Sequence, residues 1–401
     1  MQVTIMGLGY IGLPTAALIA SKGITVQGVD VNKQIVDTIN KGKIHIVEPD
    51  LDGLVHYAVH KKFLTASVQV KPADVFLIAV PTPFREGHAP DLSYVEKATK
   101  MVIPQLKPGN LFIIESTSPV GTTEKMAKII FRERPELKDK IWIAYCPERV
   151  LPGSVIYELQ QNDRVIGGID EASTEAAIKF YSKFVKGNLH KTNSRTAEMC
   201  KLVENASRDV NIAFANELSM ICDKAGINVN ELIDLACKHP RVRILKPGPG
   251  VGGHCIAVDP WFIVSEFPKE AKLIKQARQI NNYKTEWVKN KITDAVKKFT
   301  KSNGRAPKIG CFGLAYKADI DDLRESPALE IYHALEKAGH NVMAVEPNIR
   351  KHPELEITDT IRAVMEADIL VFLVGHKEFN SIIVPGSKQI LDFCGCKVKR
   401  G

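Results

Sequence analysis

One stretch of the sequence, from Pro247 to Trp261, combines a cysteine with a dense set of glycines and prolines. Cys255 lies inside PGPGVGGHCIAVDPW, and the carboxyl group of Asp259 follows four residues later. Glycine permits positive φ and close approach, so backbone N–H groups in such a stretch can face a ligand. Asp259 followed by Pro260 predicts an N-cap and a helix that begins at or soon after the cysteine. Because helix N-termini favour a thiolate, Cys255 is a candidate nucleophile, although most cysteines are small buried hydrophobic residues.

The N-terminus follows the order strand, glycine-rich turn, helix, strand and acid. QVTIM precedes GLGYIG at residues 7–12, an apolar helical pattern continues to Ala20, and a second strand ends on Asp30. Such glycines let a pyrophosphate approach a helix N-terminus, and the acid binds the ribose hydroxyls. Asp30 also disfavours the 2′-phosphate of NADP. The pattern predicts an NAD site that includes Gly7, Gly9, Tyr10, Ile11, Gly12 and Asp30.

Three further strands are predicted at 75–80, 111–115 and 141–145, with helical patterns between them. This alternation is typical of a parallel, doubly wound sheet, in which ligands lie beyond the carboxyl ends of the strands. The turns VPTPF, ESTSPVGT and CPERVLPG fall there and contribute Thr82, Thr117 and Glu148 as candidate site residues. Threonines in turns are more commonly local caps than ligands.

The segment 193–226 has few helix breakers and predicts one long helix, with Ser194 as N-cap and Gly226 as C-cap. Lys201 and Asn205 are four residues apart and therefore share a face, where both could donate hydrogen bonds to one oxygen. A solvated helix face is the alternative, and spacing alone favours it. A second long helix is predicted over 271–299, and long helices between domains commonly build a subunit interface, which suggests a homodimer or a higher homo-oligomer.

A new strand and helix pattern begins after the polar linker KSNGRAPK and continues to the C-terminus. Lys317 and Arg324 lie in the loop after its first strand. We therefore predict an α/β protein with two Rossmann-like doubly wound domains joined by a central helical segment. The predicted domains are 1–192 for NAD binding, 193–300 for the helices and cysteine loop, and 301–401 for a second nucleotide.

Composition excludes several classes of function. The 401 residues are 45% hydrophobic, yet the chain contains no run of 18 apolar residues and no leader pattern, so we expect a cytoplasmic protein with no membrane partner. The formal charge of +8 is distributed among acidic residues, which disfavours nucleic acid. Eight cysteines without a CxxC pair predict free thiols and no metal site, and the pair Cys394 and Cys396 is interpreted as incidental.

These motifs together carry a family resemblance that spans essentially the whole chain. GLGYIG, VPTPF, ESTSPVGT, PERVLPG, EMCKLVENASRDVNIAFANEL, HPRVRILKPGPGVGGHCIAVDPW and GLAYKADIDDLRESPA resemble the UDP-glucose/GDP-mannose dehydrogenase family of UDP-sugar 6-dehydrogenases. Within it, PERVLPG, TNSRTAEMCKL and PGPGVGGHCIAVDPWFIV are similar to the branch that acts on UDP-N-acetyl-D-mannosamine. The resemblance implies oxidation of the sugar C6 alcohol to a carboxylate with two successive NAD molecules.

The resemblance also implies roles for individual residues. Cys255 would form a thiohemiacetal and then a thioester, while Lys201 and Asn205 would steady the alkoxide and oxyanion. Asp259 and Thr117 match groups that organise water or assist proton transfer, and Glu148 matches a glutamate assigned to thioester hydrolysis. The remaining matched positions concern binding: Thr82, Thr117 and Arg324 for NAD, and Arg241, Lys317, Lys201, Asn205 and Gly252 for the UDP-N-acetylhexosamine, with Arg241 often reaching in from a partner subunit.

Two positions depart from the family pattern, and three other functions remain open. Pro152 stands where the glucose branch has a second glutamate, and LDFCGCKVKRG has no clear counterpart of a late arginine that contacts uridine. The alternatives are a UDP-N-acetyl-D-glucosamine 6-dehydrogenase, a non-catalytic NAD-binding regulatory or scaffold protein, and a single-hydride hydroxyacid dehydrogenase. Lys201, Asn205, Cys255 and Asp259 together disfavour the non-catalytic protein. A single-hydride dehydrogenase would share the first domain and the long helix, yet it has no need of a cysteine in a glycine loop.

Overall fold

The computed structural model describes residues 1–85, 89–150, 153–253 and 255–401. Pro152, the position of the family departure, lies outside the described residues. The chain forms two compact units, Met1–Glu204 and Asn205–Gly401. The boundary between them falls within one long helix, so the three domains proposed from the sequence stay a prediction.

The first unit is built on an eight-stranded sheet in the order β3-β2-β1-β4-β5-β6-β7-β8. All neighbouring strands are parallel except β6 and β7, which are antiparallel. The strands are β1 Gln2–Met6, β2 Thr25–Val29, β3 Leu64–Ser67, β4 Val75–Ile78, β5 Leu111–Ile114, β6 Trp142–Tyr145, β7 Arg164–Gly168 and β8 Leu189–Asn193. The helices are α1 Gly12–Ser21, α2 Lys33–Asn40, α3 Leu51–His60, α4 Ser93–Val102, α5 Thr122–Glu133, α6 Val155–Gln161 and α7 Glu171–Tyr181, with short 3-10 turns at Ile103–Gln105 and Pro135–Leu137.

Two hydrophobic cores cover this sheet, because the central strands are apolar at every position. All four residues of β4 (VFLI) and of β5 (LFII) are buried, as expected for strands covered by helices on both faces. The strand order reverses between β1 and β4, and the carboxyl ends at such a switch point form the usual ligand crevice of doubly wound folds. The predicted α/β fold is confirmed.

A single long helix, α8 Ser194–Ala225, links the two units. The predicted end at Gly226 agrees with its φ of +70°, a left-handed conformation that suits glycine after a helix. The predicted N-cap was wrong by one residue. Ser194 is the first helical residue, and the side chain of Asn193 accepts a hydrogen bond from the backbone N–H of Thr196 at 2.9 Å.

The second unit contains the end of α8 and a four-stranded parallel sheet in the order β10-β9-β11-β13. Its strands are β9 Lys308–Phe312, β10 Asn341–Val345, β11 Ile369–Phe372, β12 Ile383–Val384, β13 Gln389–Asp392 and β14 Lys399–Arg400, of which β12 and β14 pair with each other. Its helices are α9 Val229–Ala236, α10 Asp259–Glu266, α11 Lys272–Asn303, α12 Pro327–Lys337 and α13 Thr360–Glu366, with a 3-10 turn at Lys377–Ser381.

Helix α11 packs on the part of α8 that belongs to the second unit, and buried polar groups join the two helices. Arg278 donates to Asp209 at 2.7 Å, and both side chains are almost completely buried. Asn281 donates to the same Asp209 oxygen at 2.7 Å and accepts from Asn216 at 2.9 Å. A network of buried polar side chains therefore joins the two helices, although Asp209 Oδ2 and Arg278 Nε have no hydrogen-bond partner among the described residues.

Candidate active site

The turn after β1 has the geometry of a dinucleotide-binding turn. Gly7 has φ +91° and donates its N–H to Val29 O at 2.8 Å, and a Cβ there would lie 2.5 Å from Ala79 O. A Cβ on Gly12 would lie 1.8 Å from Gly7 O, whereas one on Gly9 would meet nothing within 4 Å. The first and third glycines are thus required by the protein's own packing, and the open space at Gly9 fits the approach of a pyrophosphate.

Asp30 lies directly after β2 and is fixed by the turn. One carboxylate oxygen accepts from the N–H of Leu8 at 3.0 Å, and the other accepts from the N–H of Asn32 at 2.9 Å. Tyr10 is exposed and Ile11 is half-buried at the start of α1. These residues fit NAD, because a fixed carboxylate beside an open glycine turn suits the ribose hydroxyls.

The turns after β4 and β5 are tied together by a serine that sequence reasoning missed. The hydroxyl of Ser116 accepts from the N–H of Val80 at 3.0 Å and donates to the carbonyl of Val80 at 2.8 Å. Thr82 and Thr117 are half-buried on these two turns. Both predicted threonines therefore stand at the carboxyl edge of the first sheet.

A second missed residue, Glu198 of α8, holds the N-terminus of α5. It is completely buried and accepts from the N–H of Gly121 at 2.6 Å, the N–H of Thr123 at 2.7 Å and the hydroxyl of Thr123 at 2.6 Å. Burial raises the pKa of Glu198, and these three hydrogen bonds oppose the rise. The arrangement anchors ESTSPVGT to the long helix, and no local sequence signal marks it.

Glu148 is buried in an ion pair with Arg164, whose guanidinium donates to it at 3.0 Å. The N–H of Arg149 donates to the other oxygen of Glu148 at 2.6 Å. These two hydrogen bonds orient the carboxylate, and its predicted part in thioester hydrolysis stays a prediction.

Beneath that pair, Tyr181 donates to Glu115 at 2.5 Å. Burial raises the pKa of Glu115 to about 7, although Arg164 lowers it. Burial also raises the pKa of the nearby Cys146 thiol to about 12, which keeps that thiol protonated.

In the second unit, Cys255 is exposed at the start of a tight turn that leads into α10. Its carbonyl accepts from the N–H of Val258 at 3.2 Å and of Asp259 at 2.9 Å. The expected helix start is confirmed, but Asp259 is not the N-cap: it is the first residue of α10, and Val258 precedes it. The carboxylate of Asp259 is buried and accepts from the side-chain amide of Asn205 at 2.6 Å.

The loop after β9 packs against the glycines that precede Cys255. A Cβ on Gly252 would lie 2.4 Å from the carbonyl of Glu325, and one on Gly253, which has φ +81°, would lie 2.9 Å from the ring of Tyr316. Burial first, and then negative charge at Asp322 and Cys255, raises the pKa of Tyr316, so the thiol lies within electrostatic reach of this phenol. Two motifs 60 residues apart in the chain thus form one surface.

The loop after β9 also repeats the geometry of the first turn. Gly313 has φ +83° and donates to Val345 O at 2.8 Å, as Gly7 does to Val29. Glu346 takes the place of Asp30 and accepts from the N–H groups of Leu314 at 2.7 Å and Ala315 at 3.0 Å. Sequence reasoning missed Glu346, although GLAY against GLGY could have revealed it.

Glu346 differs from Asp30 because its carboxylate also contacts a buried histidine. His376 Nε2 lies 3.0 Å from the carboxylate oxygen that receives both N–H groups. Although burial opposes it, the contacts with His376 lower the pKa of Glu346. The carboxylate of the second turn therefore already has a side-chain partner, His376, whereas Asp30 in the first turn accepts from the backbone N–H groups of Leu8 and Asn32.

The other predicted site residues are half-buried or exposed. Lys201 and Asn205 are half-buried one turn apart on α8, as their spacing predicted. Arg241 and Lys317 are exposed. Arg324 is also exposed and forms a forked ion pair with Asp322, with contacts of 2.5–3.0 Å.

Among the described residues, no helix is both long and apolar enough to cross a membrane.

Comparison with known proteins places the whole chain in one family. Three models of the UDP-glucose/GDP-mannose dehydrogenase family match it: the NAD binding domain over residues 1–185, the central domain over 195–283 and the UDP binding domain over 310–395. A UDP-N-acetyl-D-mannosamine dehydrogenase of Campylobacter jejuni is 53% identical over 98% of this chain and 99% of its own. An NDP-N-acetyl-D-galactosaminuronic acid dehydrogenase of Ralstonia nicotianae is 52% identical over 95% and 92%.

The fold agrees with solved structures of the same family. The structure of a UDP-N-acetyl-mannosamine dehydrogenase from S. aureus superposes with a TM-score of 0.87 at 38% identity, over 99% of both chains. The glycine turn, the fixed Asp30 and the exposed cysteine described above lie within the matched domains. The chain therefore belongs to the UDP-glucose/GDP-mannose dehydrogenase family and is an NAD-dependent oxidoreductase that acts on a UDP-sugar.

Proposed function

We propose that this protein oxidises the C6 alcohol of UDP-N-acetyl-D-mannosamine to the carboxylate, with two NAD and one water consumed for each sugar and two NADH and three protons released. The observation that carries the proposal is the exposed thiol of Cys255 beside a buried carboxylate, Asp259, that is bonded to Asn205 at 2.6 Å. A single-hydride dehydrogenase has no need of such a thiol. The product is a precursor of the kind used for surface polysaccharides.

NAD, when bound at the turn after β1, supplies the acceptor for hydride in both oxidations. In the proposed roles, Cys255 adds to the C6 aldehyde to form a thiohemiacetal, whose oxidation gives a thioester that water cleaves. Lys201 and Asn205 donate to the oxygen that carries negative charge in these steps. Asp259 fixes the amide of Asn205 and, with Thr117, organises water, while Glu148 assists hydrolysis.

For binding, we assign NAD to Gly7, Gly9, Tyr10, Ile11, Gly12, Asp30, Thr82, Thr117 and Arg324 and the UDP-sugar to Gly252, Lys317 and Arg241, together with Lys201 and Asn205. Gly9 and Asp30 carry the first assignment through their geometry. The close contacts of Gly252 with the loop after β9 support the second.

A homo-oligomer, with a dimer as its simplest form, is part of the proposal. Phe214 and Ile221 are 55% and 58% exposed on α8, and seven residues place them on one helix face. Large apolar side chains exposed in register are typical of an interface. Replacement of both by glutamate should lower the molar mass measured by light scattering, and an unchanged mass would remove this face from the interface.

We also propose a cytoplasmic location. All eight cysteines are free thiols, which is usual in a reducing compartment, and the reaction consumes NAD.

The decisive measurement is the yield of NADH per UDP-N-acetyl-D-mannosamine at completion. UDP-N-acetylglucosamine, UDP-N-acetylgalactosamine and UDP-glucose should be run in parallel, since the relative from Ralstonia nicotianae is named for a galactosaminuronic acid. Two NADH per mannosamine sugar, with little from the others, is the expected result. One NADH per sugar would contradict the thioester route. Two NADH per sugar with a different epimer would change the assigned substrate and leave the proposed mechanism standing.

Cys255→Ser tests the thiol separately and should abolish complete turnover. Cys237→Ser is the matched control, because its hydroxyl can still accept from the N–H of Ile244, as the sulfur does at 3.3 Å. The control should retain activity within about twofold, since a conservative substitution away from the site changes the stability of the protein little.

A further inference from the structure

Three potential ligand groups meet in the turn that follows β13. The Sγ atoms of Cys394 and Cys396 lie 3.4 Å apart, and the carboxylate of Asp392 is close to both. Asp392 accepts from the N–H of Cys394 at 3.0 Å and from the N–H of Gly395 at 2.9 Å, so it holds the turn closed. Both cysteines are half-buried.

The backbone favours contact between the two sulfurs. Gly395 has φ +76°, which reverses the chain between the cysteines, and a Cβ there would lie 2.8 Å from Asn230 Oδ1. A Cβ on Gly375 would lie 3.8 Å from both sulfurs, so the neighbouring loop follows them closely. A disulfide has an S–S distance of about 2.05 Å, which is shorter than the 3.4 Å between these two sulfurs. We expect rotation of the two side chains to bring the sulfurs within bonding distance.

A metal ion is the competing use of the same atoms. The described residues supply three donors here, whereas a structural zinc site takes four protein ligands. The hydrogen bond with Cys396, and then burial, raises the pKa of Cys394 well above its usual value. Two sulfurs in contact, with only three donors among the described residues, fit a dithiol better than a metal site.

We propose that Cys394 and Cys396 are a reversible dithiol/disulfide pair that exchanges with small-molecule disulfides. One thiolate attacks the reagent to give a mixed disulfide and releases one equivalent of reagent thiolate. The other cysteine thiolate then attacks the protein sulfur of that mixed disulfide, forms the internal bond and releases the second equivalent. The two cysteines lose two electrons and two protons, and the reagent disulfide becomes two thiols.

The test uses the full-length protein carrying Cys255→Ser, so that the exposed thiol does not compete. After incubation with glutathione disulfide and trapping of free thiols, the peptide that contains both cysteines should be lighter by two hydrogens. Dithiothreitol should restore its mass. Because the thiolate is the attacking form, the rate should rise as the pH is raised from 7 to 9.

Two further variants identify the thiols. Cys394→Ser should instead accumulate a stable glutathione adduct on Cys396, whereas Cys237→Ser should leave the internal disulfide unaffected. Mixed disulfides that persist on the unsubstituted pair would overturn the proposal. So would stoichiometric zinc in the purified protein that the Cys394→Ser and Cys396→Ser variants lose, because the thiols would then be metal ligands.

Discussion

The carboxylate of Asp259 is buried in the candidate site and accepts a hydrogen bond from the side-chain amide of Asn205, in the same unit. A buried carboxylate that accepts a 2.6 Å bond fixes which way the Asn205 amide points. In the proposed mechanism, the other N–H of this amide and Lys201, one turn earlier, donate to a substrate oxygen. The proposal therefore depends on the orientation of Asn205 as well as on the nucleophile.

Asp259→Asn should lower kcat by about 100-fold or more and leave KM for the sugar almost unchanged, because general-acid/base groups contribute about that much. The new carbonyl can still accept from Asn205, so the variant removes charge more than structure. Steady-state kinetics will measure it. Asp223→Asn, which changes an exposed partner of Lys291, is the control and should stay within about twofold. An Asp259→Asn enzyme with half of the wild-type kcat would exclude the proposed role.

Glu115 makes stability depend on pH. Its pKa is raised from 4.5 to about 7, mainly by burial, so the folded state holds the proton more tightly than the unfolded state. This contribution is complete below about pH 4.5 and is lost as pH rises through 7, a difference of about 3 kcal/mol. Glu115→Gln should therefore be stabilised relative to wild type at pH 8 and not at pH 4.5.

Urea unfolding of both proteins at the two pH values measures this difference. The exposed Glu133→Gln in the same unit is the control and should follow wild type at both. Equal shifts at the two pH values would show that Glu115 does not titrate as described.

The sequence was sufficient to predict those site residues whose type is required by the local turn or by the chemistry. The glycines at 7 and 12, Asp30 and Cys255 were found because turn geometry or thiol chemistry demands those residues locally. Ser116, Glu198 and His376 were missed because each acts on backbone or carboxylate groups 30–77 residues away in the chain. A single sequence contains no signal for such pairings.

The pairing of α8 with α11 through Asp209 and Arg278 is the element contact most open to test. Asp209→Ala or Arg278→Ala leaves a buried charge without its partner and should destabilise the protein by about 3–5 kcal/mol. The double variant Asp209→Leu/Arg278→Met should be less destabilised than either single alanine variant. Urea unfolding gives the comparison, and losses that simply add would show that the two side chains are not coupled.

Elements were predictable where apolar pattern and length agree. β1, β4, β5, β9 and both long helices have unambiguous patterns, and all are present. β3, β7 and β8 were not predicted, because LTAS and LHKTN are largely polar and RVIGG is short and glycine-rich. β8 lies at the sheet edge, where a strand needs little apolar surface.

At the scale of the whole molecule, each unit contains one glycine turn of similar geometry, the first after β1 and the second after β9. We expect the two turns to bind different nucleotides. Asp30→Ala should weaken NADH binding by about tenfold, since it removes a charge-assisted hydrogen bond, and leave UDP affinity unchanged. Lys317→Ala should weaken UDP by a similar factor and leave NADH unchanged. Fluorescence titration for NADH and calorimetry for UDP measure each ligand alone. If either variant weakened both ligands equally, the assignment of one ligand to each turn would be wrong.

The double anchoring of Asp30 also limits how this protein could be engineered or could evolve towards NADP. Each carboxylate oxygen already accepts a backbone N–H, from Leu8 on one side and Asn32 on the other. Replacement of Asp30 by a residue that accommodates a 2′-phosphate also removes the acceptor that holds the glycine turn in shape. The same side chain therefore sets both the preference for NAD and the geometry of the glycine turn. We expect a change to NADP to need at least two mutations, one that replaces Asp30 and one that restores the turn. The first mutation alone should impair binding of either coenzyme.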